Sequence, residues 1–577
     1  MEIVAEKKPK NDERKAVRVS GAEALILSLE HEGVTTIFGY PGGAIMPVYD
    51  ALFDHQENIH HILMRHEQGA VHAAQGFARA SGRVGVVFAT SGPGATNLIT
   101  GIADAMIDST PVVCITGNVF SPLLGTDAFQ ETDVVGISMP VTKWNHQVTS
   151  AEEIPDAIAK AFYIAKSGRP GPVLVDITKD AQVNEFDFSY KTCEGIRSYH
   201  PVPALDNDKL KEAADLINKA KRPFVLFGQG IILSHAENEL KAFIEKTGIP
   251  AAWTLLGLSA LPTNHPLNVG MLGMHGNYGP NFLSNESDVV IAVGMRFDDR
   301  VTGKVSEYLN NSKVIHMDID PSEINKIIHA DVPVLGDAKE SLSALTALVN
   351  ENSHEEWIQR FRDCDKKEHE KVIKNELFPT AGVLTMGEVI RIMSENAKSD
   401  AIIVTDVGQH QMVTSRYSKF VKSKSSITSG GLGTMGFCLP AAIGARFGAP
   451  ERQVIGVIGD GGFQMTIQEL GTIFQTDIEL KILILNNHYL GMVRQWQQLF
   501  FDKRYSATEM VNPDFQTIAR GYGIESKKIE KREDLESGIK EFLNFKGSYL
   551  LEVVVGKENN VFPMVPAGCS VAEIRLE

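Results

Sequence analysis

The stretch QVIGVIGDGGFQMT, residues 453–466, decides the fold. Its β-branched apolar run ends in the turn GDGG, which is typical of a buried parallel strand that delivers side chains to the carboxyl edge of a sheet. Asp460 lies at that edge, between glycines that let a ligand approach the backbone. A second apolar run, KILILNN (481–487), ends in Asn486 and Asn487. We therefore predict two parallel strands whose ends bring a carboxylate and an amide together.

This pair of strand ends predicts a metal site. Asp460 and Asn487 offer oxygen ligands of the kind that Mg²⁺ prefers, and Mg²⁺ commonly completes its octahedral shell with phosphate oxygens. Each motif alone is an ordinary turn. Because both follow apolar strands, we interpret them together as the site of a hard cation that also holds a diphosphate.

The same alternation of short apolar strands with helical patterns extends through the chain, and it is typical of parallel sheets covered by helices. It appears in VGVVFAT (84–90) and GPVLVDI (171–177), in RPFVLFG (222–228) and DVVIAVG (288–294), and in AIIVTDVG (401–408). We predict an α/β protein of three doubly wound domains with mostly parallel sheets. The predicted parts are a disordered tail (1–15), an amino-terminal domain (16–190), a central domain (191–350), a linker (351–379) and a carboxy-terminal domain with its tail (380–577).

Composition excludes several classes of function. The 577 residues carry 56 Lys and Arg against 72 Asp and Glu, a formal net charge of −16, which disfavours binding to nucleic acid or to an anionic membrane surface. The 5 cysteines show no CxxC spacing, so neither a disulfide framework nor a structural zinc site is expected. The first residues mix charges of both signs and resemble neither a secretory signal nor a transit peptide. We expect a cytoplasmic location and no membrane span.

Two further glycine-rich motifs are candidates for ligand binding. GLGTMG (431–436) matches the dinucleotide pattern G-x-G-x-x-G, but SKSSITSG precedes it and Glu451 lies in the turn before the next strand. It is therefore interpreted as a turn into the following helix. TSGPGATN (90–97) lacks the lysine of a Walker loop, and its sequence leaves open whether it binds a ligand or only turns the chain.

A glutamate stands at the start of a Gly/Ala-rich helical stretch. In RHEQGAVHAAQGFARASG (65–82), the small residues allow close packing against a sheet, so Glu67 could be partly desolvated. For an isolated glutamate the better reading is an exposed acid at a helix start. The residues alone do not decide between a partly desolvated carboxylate and an exposed acid.

GDG followed by NN at this spacing resembles the signature of the thiamine-diphosphate enzymes. The resemblance implies Mg²⁺ ligands from Asp460, Asn487 and the main-chain carbonyl of Tyr489. It also implies that Glu67 is the catalytic glutamate that hydrogen-bonds the aminopyrimidine ring of the cofactor and supports formation of its carbanion. The other cofactor-facing residues implied are Val407, Gly408, Gln409, His410, Gly433, Met435, Gly459, Gly461 and Met492.

Within that superfamily the chain resembles the large catalytic subunits of the acetohydroxyacid synthase family. The matching blocks include GYPGGAIMPVYDAL (39–52), GTDAFQETDVVGIS (125–138), RFDDRVTGK (296–304), GMVRQWQ (491–497) and NVFPMVPAG (560–568). The resemblance implies catalytic or substrate roles for Gln130, Lys179, Arg300 and Trp496. It also implies FAD as a mainly structural cofactor, held by Arg169, Met274, His275, Gly276, Gly294, Arg296 and Asp318.

The activity implied is decarboxylation of pyruvate and transfer of the two-carbon unit to pyruvate or 2-oxobutyrate, the first common step towards branched-chain amino acids. A planar guanidinium at Arg300 suits an acceptor carboxylate, and an indole at Trp496 suits the extra methylene of 2-oxobutyrate. The family also implies a homodimer or homotetramer with a small regulatory subunit. A flavin-dependent pyruvate oxidase and a catalytically silent binding subunit remain alternatives at this point.

Overall fold

The computed structural model describes residues 17–577. The predicted tail, residues 1–15, lies outside the described residues. Three six-stranded parallel sheets follow one another along the chain, each with helices packed against it, so the predicted α/β architecture is confirmed. No helix within residues 17–577 is both long enough and apolar enough to span a bilayer.

The amino-terminal sheet has the strand order β3-β2-β4-β5-β7-β6. Separately, β1 and β8 pair antiparallel in a two-stranded sheet. The strands are β1 (Val17–Ser20), β2 (Thr36–Gly39), β3 (His60–Leu63), β4 (Gly85–Ala89), β5 (Val112–Gly117), β6 (Trp144–Val148), β7 (Val173–Ile177) and β8 (Glu185–Phe188).

Helices of this part include α3, which begins at Glu67 after the cap residue His66 and ends at Gly82 in the left-handed conformation that favours glycine. The helices are α1 (Gly21–His31), α2 (Met46–Phe53), α3 (Glu67–Ser81), α4 (Pro93–Asn97), α5 (Ile99–Ile107), α6 (Val134–Ser138), α7 (Ile154–Lys166) and α8 (Lys179–Val183). Short 3₁₀ turns lie at Gly43–Ile45, Ser121–Leu123, Met139–Val141 and Ala151–Glu153.

The central sheet has the order β11-β10-β9-β12-β13-β14. Its strands are β9 (Pro223–Phe227), β10 (Ala251–Trp253), β11 (Asn268–Met271), β12 (Val289–Val293), β13 (Lys313–Asp318) and β14 (Val332–Leu335). Its helices are α9 (Asn207–Lys219), α10 (Gly230–Leu233), α11 (Glu237–Thr247), α12 (Tyr278–Ser284), α13 (Asp299–Thr302) and α14 (Ala338–Leu348), with 3₁₀ turns at Leu255–Gly257 and Val305–Glu307.

The predicted linker is largely helical, since α15 (Glu355–Glu368), a π-helical turn (His369–Ile373) and α16 (Lys374–Leu377) follow one another without a break. It is tied to the domain beyond it by a buried ion pair between Arg416 and Glu368, both of whose side chains are 1% exposed. Trp357 and Phe361 of α15 pack in the core of the central domain. The segment therefore braces two domains.

The carboxy-terminal sheet has the order β16-β15-β17-β18-β20-β19. Its strands are β15 (Ile402–Thr405), β16 (Ser426–Thr428), β17 (Val454–Gly459), β18 (Lys481–Asn486), β19 (Glu525–Ile529) and β20 (Tyr549–Val554). Its helices are α17 (Met386–Asn396), α18 (Gln409–Tyr417), α19 (Cys438–Gly448), α20 (Asp460–Met465), α21 (Leu470–Thr476), α22 (Gly491–Phe500), α23 (Phe515–Gly521) and α24 (Leu535–Asn544), with 3₁₀ turns at Ile467–Glu469, Arg532–Asp534 and Val571–Glu573.

Helix α3 packs directly on α19 and joins the first and last sheets into one apolar core. The contact depends on glycine, because a Cβ at Gly76 would lie 1.9 Å from the carbonyl oxygen of Ala441, and one at Gly444 would lie 1.7 Å from that of Ala73. Small side chains let the two helix backbones approach this closely. The Gly/Ala-rich composition of α3 thus serves packing between domains.

Candidate active site

Asp460 lies at the carboxyl edge of the last sheet, as the GDGG turn predicted. Strand β17 ends at Gly459, and Asp460 is the first residue of α20. Its side chain is 1% exposed, and its Oδ2 accepts a 2.7 Å hydrogen bond from the amide of Asn512. Burial raises the pKa of the Asp460 carboxyl. A buried carboxylate with an uncharged partner is in the setting where a bound cation stabilises it.

Asn487 lies at the end of the neighbouring strand β18, which pairs with β17 in parallel register. Its Oδ1 accepts from the backbone N–H of Tyr489 at 3.0 Å, and its amide donates to Gln409 Oε1 at 3.3 Å. Asn512 also donates to Asn486 Oδ1 at 3.0 Å, so it links the two strand ends. The structure therefore brings Asp460 and Asn487 to adjacent strand ends.

The loop after β15 packs on the GDG turn. His410, 6% exposed, lies so close that a Cβ at Gly459 would come within 2.9 Å of its ring carbon Cε1. A Cβ at Gly461 would in turn approach Leu490 at 2.8 Å and the Met435 methyl at 3.8 Å. Glycine at these positions lets the neighbouring side chains pack against the backbone, and the predicted residues His410, Gly459, Gly461 and Met435 form one cluster.

This cluster fits a magnesium-bound diphosphate. The donors are a carboxylate oxygen, an amide oxygen and backbone carbonyls, which is the hard oxygen set that Mg²⁺ prefers. Within residues 17–577 no group of three His, Cys, Asp or Glu side chains is arranged to hold a metal. A cation here would thus rely on Asp460, neutral oxygens and a ligand's phosphates.

A cavity of about 920 Å³ opens where the three domains meet, and each domain contributes lining residues. This volume is in the range of cofactor sites. Most residues predicted for the flavin, the acceptor and the outer part of the thiamine cofactor line it together. They are Arg169, Met274, His275, Gly294, Arg296, Arg300, Asp318, Val407, Gly408, Gly433, Met435, Met492 and Trp496.

Arg300 and Trp496 enter this cavity from different domains. Arg300 lies in the short helix α13, capped by Asp298, and its side chain is 61% exposed. Its guanidinium contacts Asp299 only at 3.6 Å. Trp496 lies on α22 and packs against Phe500 with ring centroids 5.2 Å apart and the ring planes tilted by 54°. The structure therefore places an exposed guanidinium and an aromatic side chain at one cavity.

All but one of the residues predicted to contact a flavin line the same cavity. His275 is 6% exposed and its Nδ1 has no hydrogen-bond partner in residues 17–577, while burial lowers its pKa to about 4. Asp318 ends strand β13, and burial raises its pKa to about 6. Arg169 is paired with Glu323 at 2.8 Å. Of the predicted contacts, Gly276 does not line the cavity; it packs against the backbone of Met271.

Glu67 lies in a different place, at the carboxyl edge of the amino-terminal sheet. It is 9% exposed, and its Oε2 accepts a 2.9 Å hydrogen bond from the amide of Asn97. Gly94 is close by, since a Cβ there would lie 3.4 Å from Glu67 Oε1. Asn97 and Gly94 both belong to TSGPGATN, so this motif positions the glutamate.

Gln130 and Lys179 lie at the same edge. Gln130 is exposed, has a left-handed φ of 59°, and packs against Gly92, whose Cβ would lie 2.7 Å from the Gln130 carbonyl oxygen. Lys179 begins α8 after β7 and donates to the carbonyl of Gly43 at 3.2 Å. Glu67, Gln130 and Lys179 therefore form an amino-terminal cluster that does not line the large cavity.

Sequence reasoning missed two polar partners. Asn97 is the last residue of the glycine-rich motif TSGPGATN, and Asn512 lies 52 residues after Asp460 in a loop without a motif. Asn97 could have been found, because an amide that ends a strand-to-helix turn is a candidate partner for a nearby carboxylate. Asn512 carries no local signal.

The two edges together define a thiamine-diphosphate-binding protein, and comparison with known families agrees. The thiamine pyrophosphate enzyme models match in chain order: the N-terminal TPP binding domain over residues 19–137, the central domain over 210–345 and the C-terminal TPP binding domain over 406–553. The predicted superfamily is confirmed.

Comparison with curated relatives identifies the family within the thiamine-diphosphate enzymes. The chain is 45% identical over 559 residues to the acetolactate synthase isozyme 2 large subunit of Escherichia coli, covering 96% of this chain and 99% of that one. It is 45% identical over 565 residues to the acetolactate synthase large subunit of Corynebacterium glutamicum, covering 97% and 90%. A probable acetolactate synthase large subunit of Methanocaldococcus jannaschii is 45% identical over 570 residues, covering 96% and 95%. The chain belongs to the family of acetolactate synthase large subunits.

Proposed function

We propose that the protein is a thiamine-diphosphate-dependent acetolactate synthase. It would decarboxylate pyruvate and condense the two-carbon unit with pyruvate or 2-oxobutyrate, giving 2-acetolactate or 2-aceto-2-hydroxybutyrate. The observation that carries the proposal is the pairing of buried Asp460 and Asn487 at adjacent strand ends, beside a cavity that holds both Arg300 and Trp496. The first pair suits the cofactor, and the second suits an acceptor acid.

Asp460, Asn487 and the carbonyl of Tyr489 would hold Mg²⁺ and, through it, the diphosphate. Met435 and the loop from Val407 to His410 would hold the rest of the cofactor. Bound there, thiamine diphosphate supplies an electron sink for decarboxylation and carbon–carbon bond formation. The chain's own part is to orient it and to exchange a proton with it, and Glu67 is the residue we assign to that exchange.

Acceptor choice would depend on the cavity walls. A guanidinium can grip a carboxylate through two parallel hydrogen bonds, so Arg300 would orient any 2-oxo acid acceptor. One extra methylene against an apolar wall is worth about 1–3 kcal/mol, so Trp496 would favour 2-oxobutyrate. The remaining cavity, with His275, Arg169 and Asp318 along it, would take FAD in a structural role.

We also propose that a complete centre needs two chains. Glu67, Gln130 and Lys179 do not line the cavity that Met435 and Trp496 line. Large apolar side chains are exposed on segments next to each half: Phe129 is 87% exposed beside Gln130, and Val511 is 94% exposed beside Asn512. We propose that these two side chains are covered in an interface between copies of the chain. The amino-terminal cluster of one copy would cover the carboxy-terminal cluster of another, and a regulatory small subunit and a cytoplasmic location fit the same assignment.

The test is product identity. The purified protein, supplied with pyruvate and 2-oxobutyrate, should form both acetohydroxyacids only with thiamine diphosphate and Mg²⁺, and chelation should abolish product until Mg²⁺ is restored. A flavin-dependent pyruvate oxidase would instead bleach bound flavin at the turnover rate on anaerobic mixing with pyruvate. Flavin bleaching without acetohydroxyacid would overturn the proposal.

A further inference from the structure

The loop Ser429–Gly436, which carries Met435, is held mainly by a different domain. Two carboxylates of the amino-terminal domain reach it: Asp104, in α5, and Asp108, directly after that helix. Both side chains belong to residues that are 0% exposed. Neither residue has a part in the cofactor and substrate assignments above, so their burial needs its own explanation.

Asp108 accepts hydrogen bonds from two consecutive backbone N–H groups of the loop. Gly430 N donates to Oδ2 at 2.8 Å, and Gly431 N donates to Oδ1 at 2.7 Å. Arg79 of α3 donates to the same carboxylate at 2.9 Å. Residue 431 is pressed against this carboxylate, because a Cβ there would lie 3.1 Å from Asp108 Oδ1. Glycine allows this approach, which accounts for the first glycine of the G-x-G-x-x-G pattern.

Asp104 holds the other end of the loop. Its Oδ1 accepts from the hydroxyl of Thr434 at 3.0 Å and from that of Ser429, which itself accepts from the N–H of Thr434 at 2.8 Å. Thr434 directly precedes Met435. Beyond it, the carboxylate of Asp406 accepts from the N–H of Gly436 at 3.0 Å. Carboxylates therefore fix the backbone on both sides of Met435.

This arrangement is costly for the amino-terminal domain alone. The two carboxylates lie four residues apart, and the cation Arg79 pairs with Asp108, whose pKa is raised by burial. Asp108 also lies at a helix C-terminus, where a negative charge is unfavourable. Buried charges persist where donors compensate them. Here the compensating N–H and O–H donors come from the loop of the carboxy-terminal domain.

We propose that Asp104 and Asp108 are positioning residues that set the Met435 loop, so that the amino-terminal domain controls the cofactor geometry at its own chain's carboxy-terminal edge. The proposal rests on the assignment of Met435 as a cofactor-facing residue. It concerns backbone order and cofactor affinity, so it can fail while the acetolactate synthase assignment stands.

The test compares Asp108→Asn and Asp104→Asn with wild type by hydrogen exchange and by cofactor binding. An amide in place of a carboxylate loses one acceptor oxygen and brings an N–H group against another N–H group. We expect faster exchange at the backbone amides of residues 430–436, and weaker equilibrium binding of thiamine diphosphate with Mg²⁺ by about 10- to 100-fold, the effect of losing a hydrogen bond to a charged group. The pyruvate KM should change little compared with the activation constant for the cofactor.

Asp176→Asn is the matched control. Asp176 is also a fully buried carboxylate of the amino-terminal domain, but its partners, Thr116, Asn118 and Gln147, all lie in that domain. It should lower thermal stability without changing exchange in residues 430–436. Gly431→Ala approaches the same contact from the loop side and serves if Asp108→Asn does not fold.

The outcomes separate the two assignments. Wild-type exchange and wild-type cofactor affinity in folded Asp108→Asn or Gly431→Ala would overturn the positioning role, whatever the wild-type product is. Faster loop exchange together with weaker cofactor binding, absent in Asp176→Asn, would support it. If the wild-type protein makes no acetohydroxyacid, the proposed function fails, and the exchange and binding measurements still decide the role of the two aspartates.

Discussion

The carboxyl edges of the first and last sheets have the same parallel topology but differ in how far their own chain completes them. At the last sheet Asp460, Asn487 and His410 are 1%, 4% and 6% exposed, and neighbouring loops tie each of them down. At the first sheet Glu67 is buried, but Gln130 is exposed and Phe129 is 87% exposed. The edge of the last sheet is covered by its own chain, whereas the edge of the first sheet leaves Gln130 and Phe129 on open surface.

This difference follows from what packs on each edge. The loops of the last sheet are held by buried carboxylates from two domains, and the central domain closes the cavity beside them. At the first sheet, the backbone of Gln130 packs against Gly92, but the neighbouring side chain of Phe129 is exposed. We interpret the last sheet as the rigid cofactor platform and the first as the edge that a second copy covers.

Removing the carboxylate at the edge of the last sheet should have the largest effect. Asp460→Ala deletes the charged metal ligand, so we expect Mg²⁺-dependent binding of thiamine diphosphate to weaken by more than about 100-fold, beyond the loss seen for residues that only support a ligand. Equilibrium dialysis with labelled cofactor measures this. Asp534→Ala, at an exposed aspartate of the same domain, is the control. Normal binding by folded Asp460→Ala would remove it from the metal site.

Changing the glutamate at the edge of the first sheet should separate cofactor binding from turnover. Glu67→Gln keeps the size and the hydrogen bond capacity towards Asn97 but cannot exchange a proton, so we expect retained cofactor and a fall in kcat of about 100- to 10,000-fold. Turnover with saturating cofactor, beside a binding isotherm, measures both. Glu57→Gln is the control, since Glu57 is exposed. Near wild-type turnover in Glu67→Gln would contradict its assignment.

Changes to the cavity side chains should produce the smallest effects, and they test the roles assigned to the two cavity walls. Trp496→Leu should reduce the preference for 2-oxobutyrate by about 1–3 kcal/mol, because one methylene loses its aromatic wall. Arg300→Lys should weaken both acceptors alike, since the bidentate fork is lost regardless of the alkyl chain. The product ratio under competing acceptors distinguishes them. An unchanged ratio in active Trp496→Leu would contradict the wall.

Much of this account could be predicted from the sequence where chemistry follows a strand directly. Asp460 and Asn487 each directly follow a strand, and parallel strand ends meet at one edge, so their proximity was predictable. Asp406 also directly follows a strand and could have been found by the same rule. Asp104 and Asp108 could not, because their partners lie more than 300 residues away and contact depends on how two domains dock. Asn512 likewise depends on a long-range loop contact.

Mixing two inactive variants tests most directly whether one centre is built from two chains. In a dimer of Glu67→Gln with Asp460→Ala, one of the two centres has both residues intact and the other has neither. With random exchange of equal amounts, the account predicts recovery of roughly a quarter of wild-type activity, since half the dimers are mixed and each has one working centre. No recovery after subunit exchange verified by mass spectrometry would mean that Glu67 and Asp460 act within one chain, and would contradict the shared centre.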